Sequence, residues 1–383
     1  MKQKVILFGL SIFLSHVLFS QERIPLIKAN STSVDIRDDK TLIKNAWTIS
    51  TQLKPDIYST SNKNKKVSFY TDSDSISFIV KPGKVYNFII LLNDKDSAFT
   101  QVKFEPKKIE PSYLAKLKKA ATYNFSDYRE VPKFTYQSID DPNLLALRKG
   151  FNLDSIAGEA PEISKILNLL HWVHNLIPHD GNHENPTVKN AMSMMAQCKK
   201  ENRGLNCRGL ATVLNECYLA LGIKSRFITC MPKDSVFDDC HVINMVYSNQ
   251  FKKWLWIDPT NNAYVMNEKG ELLSIAEVRE RLSKAKPLIL NPDANWNNKQ
   301  TVVIEEYLYK YMAKNLYRME CPLLSEYDAE TGENKKRITY IELLPLDAYH
   351  QTPQKTERFY PETKTTHISY ITNNPALFWT APN

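Results

Sequence analysis

Gly204-Leu205-Asn206-Cys207-Arg208-Gly209-Leu210-Ala211 begins a run that continues through Cys240-His241-Val242 and ends at Trp256-Ile257-Asp258-Pro259-Thr260. The periodicity between these segments is readable. Leu210, Val213, Leu214, Cys217, Tyr218 and Leu221 recur at three- and four-residue steps, which predicts an amphipathic helix with Cys207 in its first turn. Gly222 stands where a helix C-terminus favours a left-handed residue. Strand-like runs follow at 225–230, 241–247 and 253–258, with Ser248-Asn249-Gln250 as the turn between the last two. His241 opens the second run and Asp258 closes the third. A helix followed by an antiparallel meander is α+β architecture.

A thiol, an imidazole and a carboxylate in this order are the parts of a cysteine nucleophile, its base and an orienting group. A free thiol, with a pKa near ~8.5, is mostly protonated at neutral pH. A helix N-terminus and an adjacent imidazolium lower it to roughly 3.5–7.5. Paired strands lie about 4.8 Å apart, so His241 and Asp258 at the outer ends of a hairpin fall within hydrogen-bonding reach. Each residue alone has a structural explanation. Cys207 could be a small core residue, His241 a satisfied core histidine on the face of Ile243 and Met245, and Asp258 a turn initiator before Pro259. The three together point to catalysis.

The segments at 204–211, 221–227, 240–242 and 256–260 resemble the transglutaminase-like core of the papain-like thiol enzymes, over about residues 160–265. The resemblance implies a nucleophile helix packed on an antiparallel sheet. It implies Cys207 as nucleophile, His241 as general base and acid, and Asp258 as the group that orients His241. The implied chemistry is acyl transfer through a thioester, on a peptide or protein substrate, without cofactor or metal. Water as acceptor makes a peptidase or amidase, and an amine makes a crosslinking transglutaminase. Hydrolysis is the expected outcome, since exported members of the family are often peptidases and no calcium loop of the D-x-[DN]-x-[DN]-G type is visible. A catalytically inactive binding protein on the same fold is the alternative from another class. Many members carry a glycine two residues before the cysteine; here Leu205 stands there and the glycine is Gly204. Many carry an aromatic two residues after the histidine; here it is Ile243. The Cys207 backbone N–H supplies one oxyanion donor. Gln197, Asn206 and Trp172 are candidates for the second.

The chain of 383 residues, 43% apolar and 24% charged, is of globular composition and long enough for two or three domains. Residues 1–20 combine a basic start at Lys2 and Lys4, an apolar run at 5–14 and a mixed exit. They read as a secretory signal peptide cut near Ser20-Gln21, which predicts an exported protein, periplasmic or extracellular. No later segment reaches about 18 apolar residues, so no stable membrane insertion is expected after cleavage. Residues 21–110 hold short β-rich runs at 46–50, 67–70, 75–80, 85–92 and 99–104, an all-β sandwich domain preceding the core. Residues 111–150 read as a connector, 151–300 as the catalytic core and 301–383 as a β-rich C-terminal extension. Within the core, helices are predicted at 163–177 and 188–198, the second with Met192 and Met195 inward.

The net charge of +8 is scattered in short clusters, with no basic stripe interleaved with stacking aromatics, so no nucleic-acid partner is expected. No pattern fixes the oligomeric state. The six cysteines are too sparse for a disulfide scaffold. Cys230 and Cys240 flank a nine-residue connection, which leaves open a bridge or two reduced thiols. His174, His179 and His183, with Cys198 or Cys240, invite a zinc site. Pro178 and Gly181 break the helix that would align them, and no ligand spacing is standard.

Overall fold

The computed structural model describes residues 24–50, 55–107, 111–233, 239–333 and 335–382. The expected signal peptide, residues 1–20, lies outside them. The chain divides into two compact units, Met1–Glu110 and Pro111–Asn383.

The first unit is a β-sandwich. One sheet runs Leu26–Ala29, Val85–Leu92, Asp96–Phe104, Asp56–Thr60; the other runs Thr41–Thr48, Ser33–Asp38, Lys65–Tyr70, Ser75–Val80. Their inner faces share one apolar core, in which Phe88 of the first sheet lies 5.1 Å from Phe69 and 5.6 Å from Phe78 of the second. The expected run at 75–80 is the strand Ser75–Val80, whose residues alternate with Ile76, Phe78 and Val80 inward. The run expected at 46–50 is the end of a longer strand, Thr41–Thr48, whose side chains are nearly all exposed. It is an edge strand, so burial leaves no alternating pattern in its sequence.

In the second unit, strands Lys253–Ile257, His241–Ser248 and Ser225–Met231 form the expected antiparallel meander. The sheet does not end there. Arg318–Pro322, Arg337–Leu343, Thr365–Thr372 and Lys355–Tyr360 continue it to seven strands. Residues 301–383 therefore complete the core sheet instead of extending from it. Residues 111–150 also carry structure of their own, including the helix Pro142–Gly150, started by an Asp141 cap and Pro142.

The helix Cys207–Ala220 packs on one face of this sheet. It ends as the sequence predicts. Gly222 has φ +75°, its N–H donates to Leu219 O, and the Ile223 N–H donates to Tyr218 O, a Schellman closure. Burial extends beyond the predicted stripe: every residue from Gly209 to Ala220 is buried. Its polar positions are paired accordingly. Glu216 accepts from the Ala191 N–H at 2.7 Å and the Asp328 N–H at 2.9 Å, and burial pushes its carboxyl up to about 8.

Two flanking helices appear at Glu162–Leu176 and Ala191–Glu201. The second begins three residues later than expected because Asn190 caps it through the Ser193 N–H. Met194 and Cys198 are buried; of the predicted inward pair Met195 is half-buried and packs on the core, whereas Met192 is 37% exposed, which corrects that half of the expectation. Glu162 opens the first helix, and its carboxylate takes the Ser248 hydroxyl and the N–H groups of Asn249 and Gln250. It thereby pins the turn of the hairpin that carries His241 and Asp258. Among the described residues no helix is long and apolar enough to cross a membrane.

Candidate active site

Asn206 starts the helix Cys207–Ala220. Its side-chain oxygen accepts from the N–H groups of Arg208 (3.1 Å) and Gly209 (3.3 Å). Asn185 steadies this cap, donating to Asn206 Oδ1 at 2.7 Å and accepting from the Asn206 N–H at 3.0 Å. Gly209 makes room for that amide, since a Cβ there would lie 2.6 Å from Asn185 Oδ1. The Cys207 N–H, in the first turn, has no hydrogen-bond partner among the described residues. Arg208 turns away, donating to Glu330 (2.5 Å) and Thr229 (2.8 Å), so its charge is neutralised apart from the sulfur.

Cys207 packs against Ala211, Phe227 and Val242 on the helix face of the sheet. His241 begins its strand on the face of Ile243 and Met245. Ile257 pairs with Asn244, so Asp258 stands diagonal to His241 instead of opposite it. Diagonal neighbours on one face remain within reach, and His241 Nε2 lies 2.7 Å from Asp258 Oδ2. His241 is 2% and Asp258 0% exposed, whereas Cys207 is half-buried at the cleft.

Asp258 is heavily braced. Its Oδ2 also accepts from Tyr307 Oη at 2.5 Å and Asn261 Nδ2 at 3.0 Å, and its Oδ1 from the Thr260 N–H at 2.9 Å. Tyr307 comes from a π-helical segment, Glu305–Met312, packed on the sheet face opposite the helix Cys207–Ala220. Tyr311 from the same segment stacks edge-on to the His241 ring, centroids 5.3 Å apart. The site is thus assembled at the sheet's end from both faces. His174, buried, bonds Pro259 O and Asn295 Oδ1, each at 2.9 Å, and fixes the turn after Asp258.

The electrostatics follow from these contacts. Burial alone would push the Cys207 thiol up. Side-chain hydrogen bonds with His179 and His241, the His241 charge and the Val242 N–H outweigh it and bring the thiol down to about 6. Burial disfavours the His241 cation, but the Asp258 carboxylate and the facing sulfur raise it to about 10. Asp258 is held below the usual carboxylate range, its burial outweighed by His241, Asn261 and Tyr307. At neutral pH the pair is a thiolate facing an imidazolium. The other five cysteines are all raised, primarily by burial.

The thiol opens on a cleft of about 890 Å³ whose walls include His179, Trp296, Val303 and Tyr311. Of the three oxyanion candidates only Asn206 lines it. Gln197 is bonded to Glu201, and Trp172 packs on Phe151 at 5.5 Å. All six cysteines are free, so Cys230 and Cys240 are not bridged. Cys230 pairs in register with His241 and is buried in the core below the sheet, whereas Cys240 lines the cleft. The three histidines of the zinc reading disperse: His174 to the Asp258 turn, His183 to Asp180 at 2.6 Å, His179 to the cleft. No group of three or more His, Cys, Asp or Glu among the described residues could hold a metal.

Residues 149–259 match the family model of the transglutaminase-like superfamily. Over these residues the chain is transglutaminase-like. Several solved structures resemble the chain at low overall superposition. One is a protein described as a candidate cysteine protease from Cytophaga hutchinsonii, 18% identical, covering 38% of this chain and 50% of that one, with a TM-score of 0.24. Another is EGTA-treated Legionella pneumophila LapG, 11% identical, covering 37% and 77%, TM-score 0.25. A third is red sea bream transglutaminase, 11% identical, covering 62% and 49%, TM-score 0.22. The chain spans half the length of the first of these. No curated protein gives a significant match. The transglutaminase-like core accounts for the helix and three strands that present Cys207, His241 and Asp258. Tyr307 and Tyr311 lie outside the matched residues and went unnoticed in the sequence. Their run at 302–312 reads equally as helix or strand, and nothing local links it to Asp258.

Proposed function

We propose that this protein is a thiol-dependent acyl-transfer enzyme acting on peptide or protein amides. The observation that carries it is Cys207, half-buried at the cleft, facing a buried His241 that is itself bonded to Asp258 at 2.7 Å. The Cys207 thiolate attacks the substrate carbonyl carbon, and the electron pair of the C=O bond moves to oxygen. The Cys207 N–H, free at the helix start, meets that oxyanion. The His241 imidazolium gives its proton to the leaving nitrogen as the C–N bond breaks, leaving a thioester. Neutral His241 then takes a proton from the acceptor, which attacks the thioester and restores the thiolate. Asp258 keeps the ring oriented throughout.

Water is the proposed acceptor. Excluding water is what an amine-accepting enzyme must do, and one margin of this cleft is polar, with Asn261, Gln300 and Thr301 along it. Export is part of the same proposal, on the strength of the N-terminal pattern, and N-terminal sequencing of purified protein from its native host checks it by finding Gln21 first.

Limited iodoacetamide labelling at pH 6.5, mapped by mass spectrometry, tests the chemistry. Cys207 is expected to react ahead of the other five thiols, and His241→Ala to abolish that lead. Slow and equal labelling of all six would reject the enzyme in favour of a binding protein on the same fold. A fluorogenic peptide library, run with and without a primary amine probe, then separates hydrolysis from amine incorporation.

A further inference from the structure

Cys207 has a second imidazole beside it, and the triad does not use it. His179 lies in the cleft wall, and its side chain reaches the same sulfur that His241 faces. Its position is built in. The Leu205 N–H donates to Pro178 O at 3.2 Å and the Asp180 N–H to Leu205 O at 2.8 Å, so the His179 loop runs alongside the approach to Cys207. That approach is possible because residue 204 has no side chain: a Cβ there would stand 2.2 Å from Pro178 O and 2.8 Å from Asp180 Cβ. Asn297 clamps the His179 backbone from the other side, accepting from its N–H at 2.6 Å and donating to its carbonyl at 2.9 Å.

The ring's protonation pattern is also set. Trp296 Nε1–H donates to His179 Nδ1 at 3.4 Å, with the indole edge-on to the imidazole. A neutral imidazole whose Nδ1 accepts carries its proton on Nε2. The nitrogen left for the sulfur is therefore a donor. As the thiolate attacks a carbonyl, negative charge passes from sulfur to the oxygen on the same new tetrahedral carbon. A donor poised at the sulfur is close to where that oxygen forms. Asn206, the other cleft-lining candidate, has its oxygen occupied by Arg208, Gly209 and Asn185, which leaves its Nδ2 as the rival donor that the variants below must separate from His179.

The geometry points to His179 as the second oxyanion donor, beside the Cys207 N–H, with Trp296 as the positioning residue that fixes its tautomer. This rests on the acyl-transfer function proposed above and names a catalytic residue that the triad alone does not supply.

Two small probes separate the roles. Iodoacetamide alkylates a thiolate by direct displacement and forms no oxyanion. p-Nitrophenyl acetate acylates it through one: sulfur bonds to the acetyl carbon, the intermediate collapses, and p-nitrophenolate leaves with the electron pair of the broken C–O bond. The full chain and its His179→Phe, His179→Gln, Trp296→Phe and Asn206→Asp variants are compared, with circular dichroism to confirm folding. His179→Phe is expected to slow acetylation about 10²-fold more than it slows alkylation at matched thiolate content. His179→Gln, which keeps an N–H donor, should recover part of the loss. Trp296→Phe should lose less than His179→Phe, and again in acetylation alone. Asn206→Asp, which keeps the cap and removes the amide donor, should retain acetylation relative to alkylation. Equal losses in both reactions, no loss at all, or a selective loss in Asn206→Asp instead of His179→Phe would overturn the role of His179 and leave the triad standing. Wild-type protein that neither acetylates nor alkylates at Cys207 would remove the acyl-transfer function, and this inference with it.

Discussion

Cys207 and His241 are displaced in opposite directions, to about 6 and about 10, and that ordering sets a pH window. The thiolate forms as pH rises through the lower value, and the imidazolium is lost as pH rises through the upper one. Acylation rates should therefore follow a bell with limbs near these values, and His241→Ala should move the acid limb upward because it removes the charge that favours the thiolate. A pH–rate series with a peptide amide, whose leaving nitrogen needs the His241 proton, checks both limbs; an acid limb near the ordinary thiol value in the wild type would contradict the assigned electrostatics. Tyr307→Phe deletes one bond to the buried Asp258 carboxylate. A hydrogen bond to a charged group contributes about 1.5–3 kcal/mol, so acylation should slow by about tenfold or more. An unchanged rate would show that the brace is idle. Cys207, His241 and Asp258 were legible because each sits at an element boundary that the sequence marks. Tyr307 was not, and nothing in the sequence tied His179 to Cys207, since the two pairs lie 49 and 28 positions apart and only tertiary packing joins them.

The helix Cys207–Ala220 was legible in its ends: the cap residue Asn206 before Cys207 and the left-handed Gly222 after Leu221. Its surroundings were not. A periodic stripe predicts one buried face, yet the helix is enclosed on every side, because flanking helices and the segment around Asp328 close over the polar positions. The helix Ala191–Glu201 shows the converse. Its existence was readable, but its start was set by Asn190 as cap, and of the expected inward pair Met195 packs on the core while Met192 stays at the surface. Gly204 carries a prediction at this scale. Ala at 204 would force the 178–180 segment and the 204–205 segment apart, at a cost of about 1–3 kcal/mol by overpacking. Urea unfolding should show the loss, and acetylation of Cys207 should fall further than alkylation because His179 moves with its loop. A Gly204→Ala protein as stable as wild type would mean that the contact relaxes freely.

The sandwich and the α+β class of the whole molecule could be read from strand runs and the helix–meander order. The closure of the larger unit could not, because strands distant in sequence pair only when the intervening chain has folded. Residues 301–383 supply four of the seven strands of the core sheet. Arg226, on a central strand and 1% exposed, is held between Phe134 and Trp254 and donates to Phe378 O at 3.1 Å. One buried side chain thus ties the stretch before the core to the last helix after it. A chain ended at residue 300 should fail to fold its second unit, leaving only the sandwich resistant to limited proteolysis; a protected 111–300 fragment would refute this. The matched family segment stops at residue 259, well short of Tyr307. During synthesis, then, the ribosome delivers sulfur, ring and acid long before the tyrosine that steadies them. A nascent chain should be chemically mute until its closing strands emerge.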